Sequence, residues 1–332
     1  MRTRIALSAT SLLIAASFLA ACGEEGSSGT QAPPTGAATG GCAPEAGKQL
    51  VVLTDDKKLQ TVDNIVPAIN AKASSPELIA ALDKVSAALD TPKLVALNKA
   101  VDVDRKTSKV AAEEFASAAG LMAGIAKGPG GKITVGAANF AESQTLGELY
   151  KLALTAAGYQ VTVQTIGNRE LYEPALERGE VQVVPEYVGT LTEFLNKKVN
   201  GASATPVASS DLDKTFAALK DLGGKKGLTF GTPSAAADQN AFAVTKAFAD
   251  KYAVTTLSDL AAKCSGQATI LGGPPECPQR PFCQLGLEGT YKLKVGSFKS
   301  LDSGGPQTKT ALTTGTISVG LVLSSDGALA AG

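Results

Sequence analysis

Apolar and polar positions along the chain fall into two regimes separated by a break. Residues 48–67, "KQLVVLTDDKKLQTVDNIVP", open on a buried-type β run and turn polar. "SSPELIAALDKVSAALD" then places Leu78, Ile79, Leu82, Val85 and Leu89 at helical spacing, behind Ser75 as N-cap and Pro76 at the first helical position. Thr91 and Pro92 start a second helix in "TPKLVALNKAV", and "SKVAAEEFASAAGLM" makes a third. The break is "AKGPGGK" (126–132), rich in helix and strand breakers. It is not a phosphate loop: the glycine spacing is wrong, and Lys132 precedes Ile133 rather than Ser or Thr.

From Lys132 the pattern alternates. "KITVGAA" predicts a strand, "SQTLGELYKLALTAAG" a helix, "YQVTVQTI" a strand, "RELYEPALERG" a helix and "VQVVPEY" a strand. A second set follows, with strands at "ATILGG", "LKVGSFKSL" and "TISVGLVLSSD" and helices at "GLEGTYK" and "PQTKTALTTG". "PALERGEVQVVPEY" and "KTALTTGTISVGLV" share an Ala-Leu pair, a helix-closing Gly and a following strand. The pattern implies two α/β lobes of like architecture, with a ligand site where their strand carboxyl ends face a common cleft.

The N-terminus changes where this protein is expected to work. Arg2 and Arg4 precede the apolar "IALSATSLLIAASFLA", so residues 1–22 read as an export signal, too short for a stable membrane span. "LAAC" (19–22) looks like a bacterial lipobox, with Cys22 as the lipidated residue and a membrane-anchored protein as the consequence. Residues 23–46, rich in Gly, Ser, Thr and Pro at their start, read as a flexible tether. The other cysteines, Cys42, Cys264, Cys277 and Cys283, are even in number in an exported chain, where disulfides persist. Three pairings are open; the spacing in "CPQRPFC" favours Cys277 with Cys283, leaving Cys42 with Cys264. Zinc is the poorer reading of these thiols, and no metal or other cofactor is expected.

Composition removes classes of function. The 332 residues carry 31 basic and 31 acidic side chains, without the basic footprint of nucleic-acid binding. There is no histidine, so Ser-His-Asp triads, Cys-His pairs and His-ligated metals are excluded. No nucleophile–base pair stands out among the cleft carboxylates and tyrosines, and an enzyme is not expected.

"ITVGAANFAESQTLGELYKLALTAAGYQV", "ALERGEVQVVPEYVGT" and "GGPPECPQRPFCQLGLEGTYKLKVGSFKSLDSGGP" resemble the substrate-binding proteins of ABC importers for glycine betaine, choline and carnitine, over 48–125 and 132–332. The resemblance implies a type II periplasmic-binding-protein-like fold: two lobes that hinge shut on a small osmolyte, as a monomer, and dock on a permease and ATPase complex. In that family the strand ending in a "TTDG"-like segment runs on into "LVVLEDDKG". Here the corresponding "SSDG" (324–327) lies near the C-terminus and "LVVLTDDKK" (50–58) near the N-terminus, so the chain resembles a circular permutant joined at 126–131. An unrelated helical domain at 48–125 is the competing explanation. On the permuted reading lobe 1 is 48–125 plus 132–236, lobe 2 is 237–327, and 328–332 is the C-terminal end. "LVVL" is then expected to enter the lobe 1 sheet, and its pairing with no strand of 132–236 would defeat the permutation argument.

Carried over by position, the family's ring and clamp residues give Tyr187 and Thr190 in "PEYVGT" and Arg280 as a carboxylate partner. Three further ring positions fall on Asp63, Asn240 and near Leu323, which removes most of the aromatic box and opens the site to a more polar analogue. Asp63, Asn64, Asp238 and Asn240 are therefore candidate polar ligands, although Asp and Asn also commonly shape turns. "NFAES" adds Asn139, Phe140, Glu142 and Ser143, either at a cleft-facing helix N-terminus or merely as first-turn charge and capping. A surface sensor or interaction module on the same fold is the alternative to transport.

Overall fold

The computed structural model describes residues 40–329. The export signal, Cys22 with its lipobox, and the tether up to residue 39 lie outside the described residues, as do 330–332. Two five-stranded sheets organise the chain. One contains β2 (Ile65–Asn70), β3 (Lys132–Ala138), β4 (Gln160–Gly167), β5 (Val183–Tyr187) and β6 (Leu228–Phe230), in the order β4-β3-β5-β2-β6. The other contains β1 (Leu50–Val52), β7 (Asn240–Thr245), β8 (Gly266–Gly273), β9 (Val295–Ser300) and β10 (Val319–Leu323), in the order β9-β8-β10-β7-β1.

Each sheet is buried by helices on its faces. α1 (Pro76–Ala88), α2 (Thr91–Asp102), α3 (Ser108–Ala118) and α4 (Ala141–Ala156) cover one face of the first sheet, with Leu78, Leu82, Leu94, Leu146 and Leu149 in a shared core. α5 (Arg169–Arg178), α6 (Val188–Asn200) and α7 (Leu212–Gly224) close its other face around Leu176, Leu191, Leu195 and Leu219. α8 (Lys246–Tyr252), α9 (Leu257–Cys264), α10 (Gln284–Gly286) and α11 (Pro306–Thr313) serve the second sheet. The caps follow the local chemistry: Ser75 Oγ accepts from Leu78 N at 3.1 Å and Asp90 from Lys93 N at 2.9 Å, so α2 is capped one residue before Thr91.

The two sheets have the same construction. In each, a parallel trio (β4-β3-β5 and β9-β8-β10) is followed by one antiparallel strand, β2 or β7, and then by a fifth strand antiparallel to that one, β6 or β1. The antiparallel insert is in both cases the strand that has just crossed from the other sheet: β1 leads to β2 and β6 leads to β7. This is the type II periplasmic-binding-protein arrangement. The crossing segments run side by side, Asp238 N donating to Asp63 O at 3.0 Å and Ile65 N to Ala236 O at 3.0 Å.

Three expectations are corrected. "LVVL" does not enter the lobe 1 sheet: Leu50, Val51 and Val52 pair with Thr245, Val244 and Ala243 of β7 and with no strand of 132–236, so lobe 2 includes β1 and the permutation argument as built on this strand fails. The strand that does cross is "IVPAIN", β2, absent from the sequence reading because Pro67 breaks a donor and all six residues are buried, leaving no alternation. Pro67 sits opposite Pro185 across the antiparallel pair, where neither missing N–H orphans an acceptor. Finally, residues 40–46, expected in the tether, pack on lobe 2: Cys42 is buried and disulfide-bonded to Cys264, and Cys42 N donates to Thr269 Oγ1 at 2.8 Å. The second disulfide joins Cys277 and Cys283.

Candidate functional site

The parallel strands of both sheets point their carboxyl ends at one seam, where α/β sheets leave room for ligands. A cavity of about 100 Å³ opens there. Lobe 1 lines it with Asn139 and Phe140 after β3, Asn168 and Arg169 after β4, Tyr172 on α5, Tyr187 ending β5 and Thr190 on α6. Lobe 2 contributes Pro274 and Glu276 after β8, the Cys277–Cys283 disulfide, Arg280, Ser303 and the β10 residues Leu321 and Leu323. The crossings supply Asp63 and Asp238, with Asn240 at the start of β7.

Three rings therefore face the seam. Phe140 and Tyr187 lie 6.4 Å apart between centroids with planes 28° from parallel, and Tyr172 joins them. Asp63, Asn240 and Leu323, where the family resemblance places rings, all line the cavity as non-aromatic residues. Three of the candidates, Asn64, Ser143 and Glu142, are elsewhere. Asn64 Nδ2 donates to Ser234 O at 2.8 Å and ties the two crossings together. Ser143 is buried, its Oγ accepting from Ala138 N at 2.9 Å to brace the turn into α4. None of the three lines the cavity.

Asp63 is 5% exposed and accepts from Gly189 N (2.9 Å) and Thr190 N (3.0 Å), so it caps α6 from the neighbouring crossing. The approach needs a glycine: a Cβ on Gly189 would sit 2.2 Å from Val62 O. Burial raises the Asp63 carboxyl to about 7 against the pull of those bonds and of Arg169. Arg169 is itself buried, its guanidinium held by both Glu186 oxygens (2.8 and 2.6 Å) and by Thr190 Oγ1 (2.9 Å), while Tyr172 donates to the same Glu186 at 2.9 Å. Removing one partner of so buried a pair costs about 3–5 kcal/mol.

Glu142 stands behind Tyr187 rather than in the cavity. It accepts from Tyr187 Oη, Asn98 Nδ2 and Ser325 Oγ, each at 2.6 Å. Burial raises both Glu142 and Asp238, and the charge of Glu142 pushes Asp238 further. Because Asn98 and Glu142 belong to lobe 1 and Ser325 to lobe 2, this cluster also joins the lobes. On the other flank Arg280 pairs with both Glu170 oxygens (3.0 and 2.8 Å), and Asn168 Nδ2 reaches Glu276 at 3.3 Å. The lobes thus meet on both sides of the cleft. Arg280 lines it, but with its guanidinium engaged by lobe 1 acid.

Arg169, Tyr172, Asn168 and Glu276 were not singled out from sequence. "RELYEP" reads as a helix and nothing more; its position straight after the carboxyl end of a parallel strand is the signal that marks Arg169 and Tyr172. The described residues contain no group of acids and cysteines arranged to hold a metal, and none of their helices is long and apolar enough to cross a membrane.

Comparison with the curated protein sequences finds no significant match. Among solved structures, a glycine betaine/carnitine/choline ABC transporter protein is 23% identical, covering 60% of this chain and 71% of its own, at TM-score 0.38. The periplasmic murein tripeptide binding protein MppA, in unliganded open form, is 13% identical over 56% of this chain and 44% of its own, at TM-score 0.27. OppA of Haemophilus influenzae, in complex with a peptide, is 11% identical over 55% and 43%, at TM-score 0.28. This chain spans less than half the length of those last two. The family model OpuAC, the substrate binding domain of ABC-type glycine betaine transport systems, matches residues 43–118 and 131–331. The chain belongs to this family, and is a solute receptor rather than an enzyme.

Proposed function

We propose that this protein captures a small methylated-ammonium osmolyte of the choline, carnitine or glycine betaine kind in the cleft between its lobes, and presents the closed form to an ABC permease on the extracytoplasmic face. The observation that carries the reading is the lining of the cleft: Phe140, Tyr172 and Tyr187 on one wall, and the carboxyls of Asp63 and Glu276 on a crossing and on lobe 2. Aromatic faces attract a desolvated cation, and neighbouring acids reinforce the field. Both guanidiniums at the cleft already hold protein carboxylates, so the site favours the ammonium end of a ligand over the carboxylate of a short zwitterion.

Lipid anchoring through Cys22 belongs to the same reading, since it would keep the receptor beside its permease. So does permutation, on a ground different from the one first expected. β5 runs on through α6 and α7 to β6, whereas the equivalent step in the other sheet, β10 to β1, is interrupted by the chain ends. Joining β10 to β1 and cutting at 126–131 would move the break to the β2-to-β3 step and leave both strand orders unchanged, as a circular rearrangement does. The family match leaves 119–130, which contains all of that joint but residue 131, unmatched.

Thermal melts with choline, carnitine, glycine betaine and proline test the reading. A ligand at 100 times its Kd stabilises by about 2.7 kcal/mol. Choline at millimolar concentration is expected to raise Tm by several degrees; a flat response to all three methylated ammoniums would refute the assignment.

A further inference from the structure

The cleft does not end at its rings. A second cavity of about 330 Å³ adjoins the first and shares Thr190, Asn240 and Arg280 with it. One wall is α6, with Phe194 and Lys197; the other is the disulfide-closed loop of lobe 2, with Gln279 and Phe282. Small-molecule sites commonly measure about 300–1,000 Å³. The first cavity alone, at about 100 Å³, suits a compact head group; the second is large enough for what such a head carries.

Charge is divided between the two cavities in the same sense. Around the first, Asp63 and Glu276 supply the acids while Arg169 is neutralised by Glu186. Around the second, most ionic groups are committed: Lys198 to Glu173 and Glu177, Arg280 to Glu170, and Glu193 to Val207 N and Ala208 N at 2.6 Å each. Lys197 is half-buried at this wall and has no ion-pair partner among the described residues. Gln279 offers a side-chain amide in the same cavity, likewise without a side-chain partner among the described residues.

We propose that the second cavity is a tail subsite for an anionic group, phosphate or carboxylate, joined to the methylated ammonium by a spacer longer than the single methylene of glycine betaine. Lys197 supplies the counter-charge, Gln279 a hydrogen bond, and Phe194 and Phe282 flank the spacer. This rests on the cleft being an ammonium site, and it places the anion where the uncommitted cation is rather than at the two engaged arginines.

Calorimetric titration of the whole protein with choline, carnitine, phosphocholine and sn-glycero-3-phosphocholine tests it, the last three separating carboxylate, terminal phosphate and phosphodiester. At least one anionic ligand is expected to bind about tenfold or more tightly than choline. Lys197→Gln should abolish that ratio and Lys197→Arg should retain it, with ligand-free melts confirming that both variants fold. Choline binding as tightly as all three, or Lys197→Gln weakening all four ligands by one common factor, overturns the subsite and leaves the ammonium reading standing. If no methylated ammonium binds, that reading falls and takes the subsite with it.

Discussion

Asp63 concentrates the chemistry of the site in one carboxyl. It is buried at a lobe crossing, it caps α6, and it lines the cleft with its pKa raised to about 7. Because the folded pKa lies above the ordinary carboxylate value, the neutral form favours folding. That contribution is complete below pH 4 and is lost as pH rises towards 7, at about 1.4 kcal/mol per unit of difference between the two states. Without ligand, Asp63→Asn should therefore gain stability relative to the native protein between pH 5 and pH 8, read by denaturant midpoints; a pH-independent difference would show that Asp63 is ionised throughout. Cation binding has the opposite sign: it favours the carboxylate, so choline affinity should rise between pH 6 and pH 8 in the native protein and lose that slope in Asp63→Asn. Tyr187 separates ring from hydroxyl. Tyr187→Phe keeps the cation–π face and deprives Glu142 of one donor, whereas Tyr187→Leu removes the face and should weaken choline binding by about tenfold more, in line with 1–2 kcal/mol for a desolvated cation–π contact.

Among the elements, α5 and the disulfide loop form a latch across the cleft mouth through Glu170 and Arg280. The pair is partly exposed, with side chains 42% and 23% accessible, so Arg280→Gln should change stability by no more than about 1 kcal/mol. It should instead speed ligand release several-fold, because the closed arrangement loses an inter-lobe contact; unchanged koff in stopped-flow would remove the latch. Most elements were legible in the sequence, because Ser75-Pro76 and the alternating runs after Lys132 obey local rules that tertiary packing did not override. β2 was not legible: a strand paired on both sides shows a uniformly apolar run, and Pro67 argues against a strand until its partner is known to be Pro185. The site divided along the same line. Tyr187, Thr190 and Arg280 were reached by position in a motif, while Arg169, Tyr172 and Glu276 line the cleft only because two sheets converge on it, which no window of sequence reports.

At the scale of the molecule, two sheets of equal strand order are joined by two adjacent crossings. Asp63 and Asp238 lie on those crossings, so the cleft lining and the inter-lobe connections share residues. A chain reordered to run 132–329 and then 40–126 restores the β10-to-β1 connection; it should fold, and bind choline within about threefold of the native order, as connections at exposed chain ends commonly allow. Failure to fold would contradict the permuted reading. The central claim is that aromatic faces and acids in the cleft select a positively charged, methylated head. Calorimetry with choline against its neutral isostere 3,3-dimethyl-1-butanol tests it most directly. Choline should bind at least about tenfold more tightly, since the two differ in charge and scarcely in shape; equal affinities, or none for choline, would contradict it.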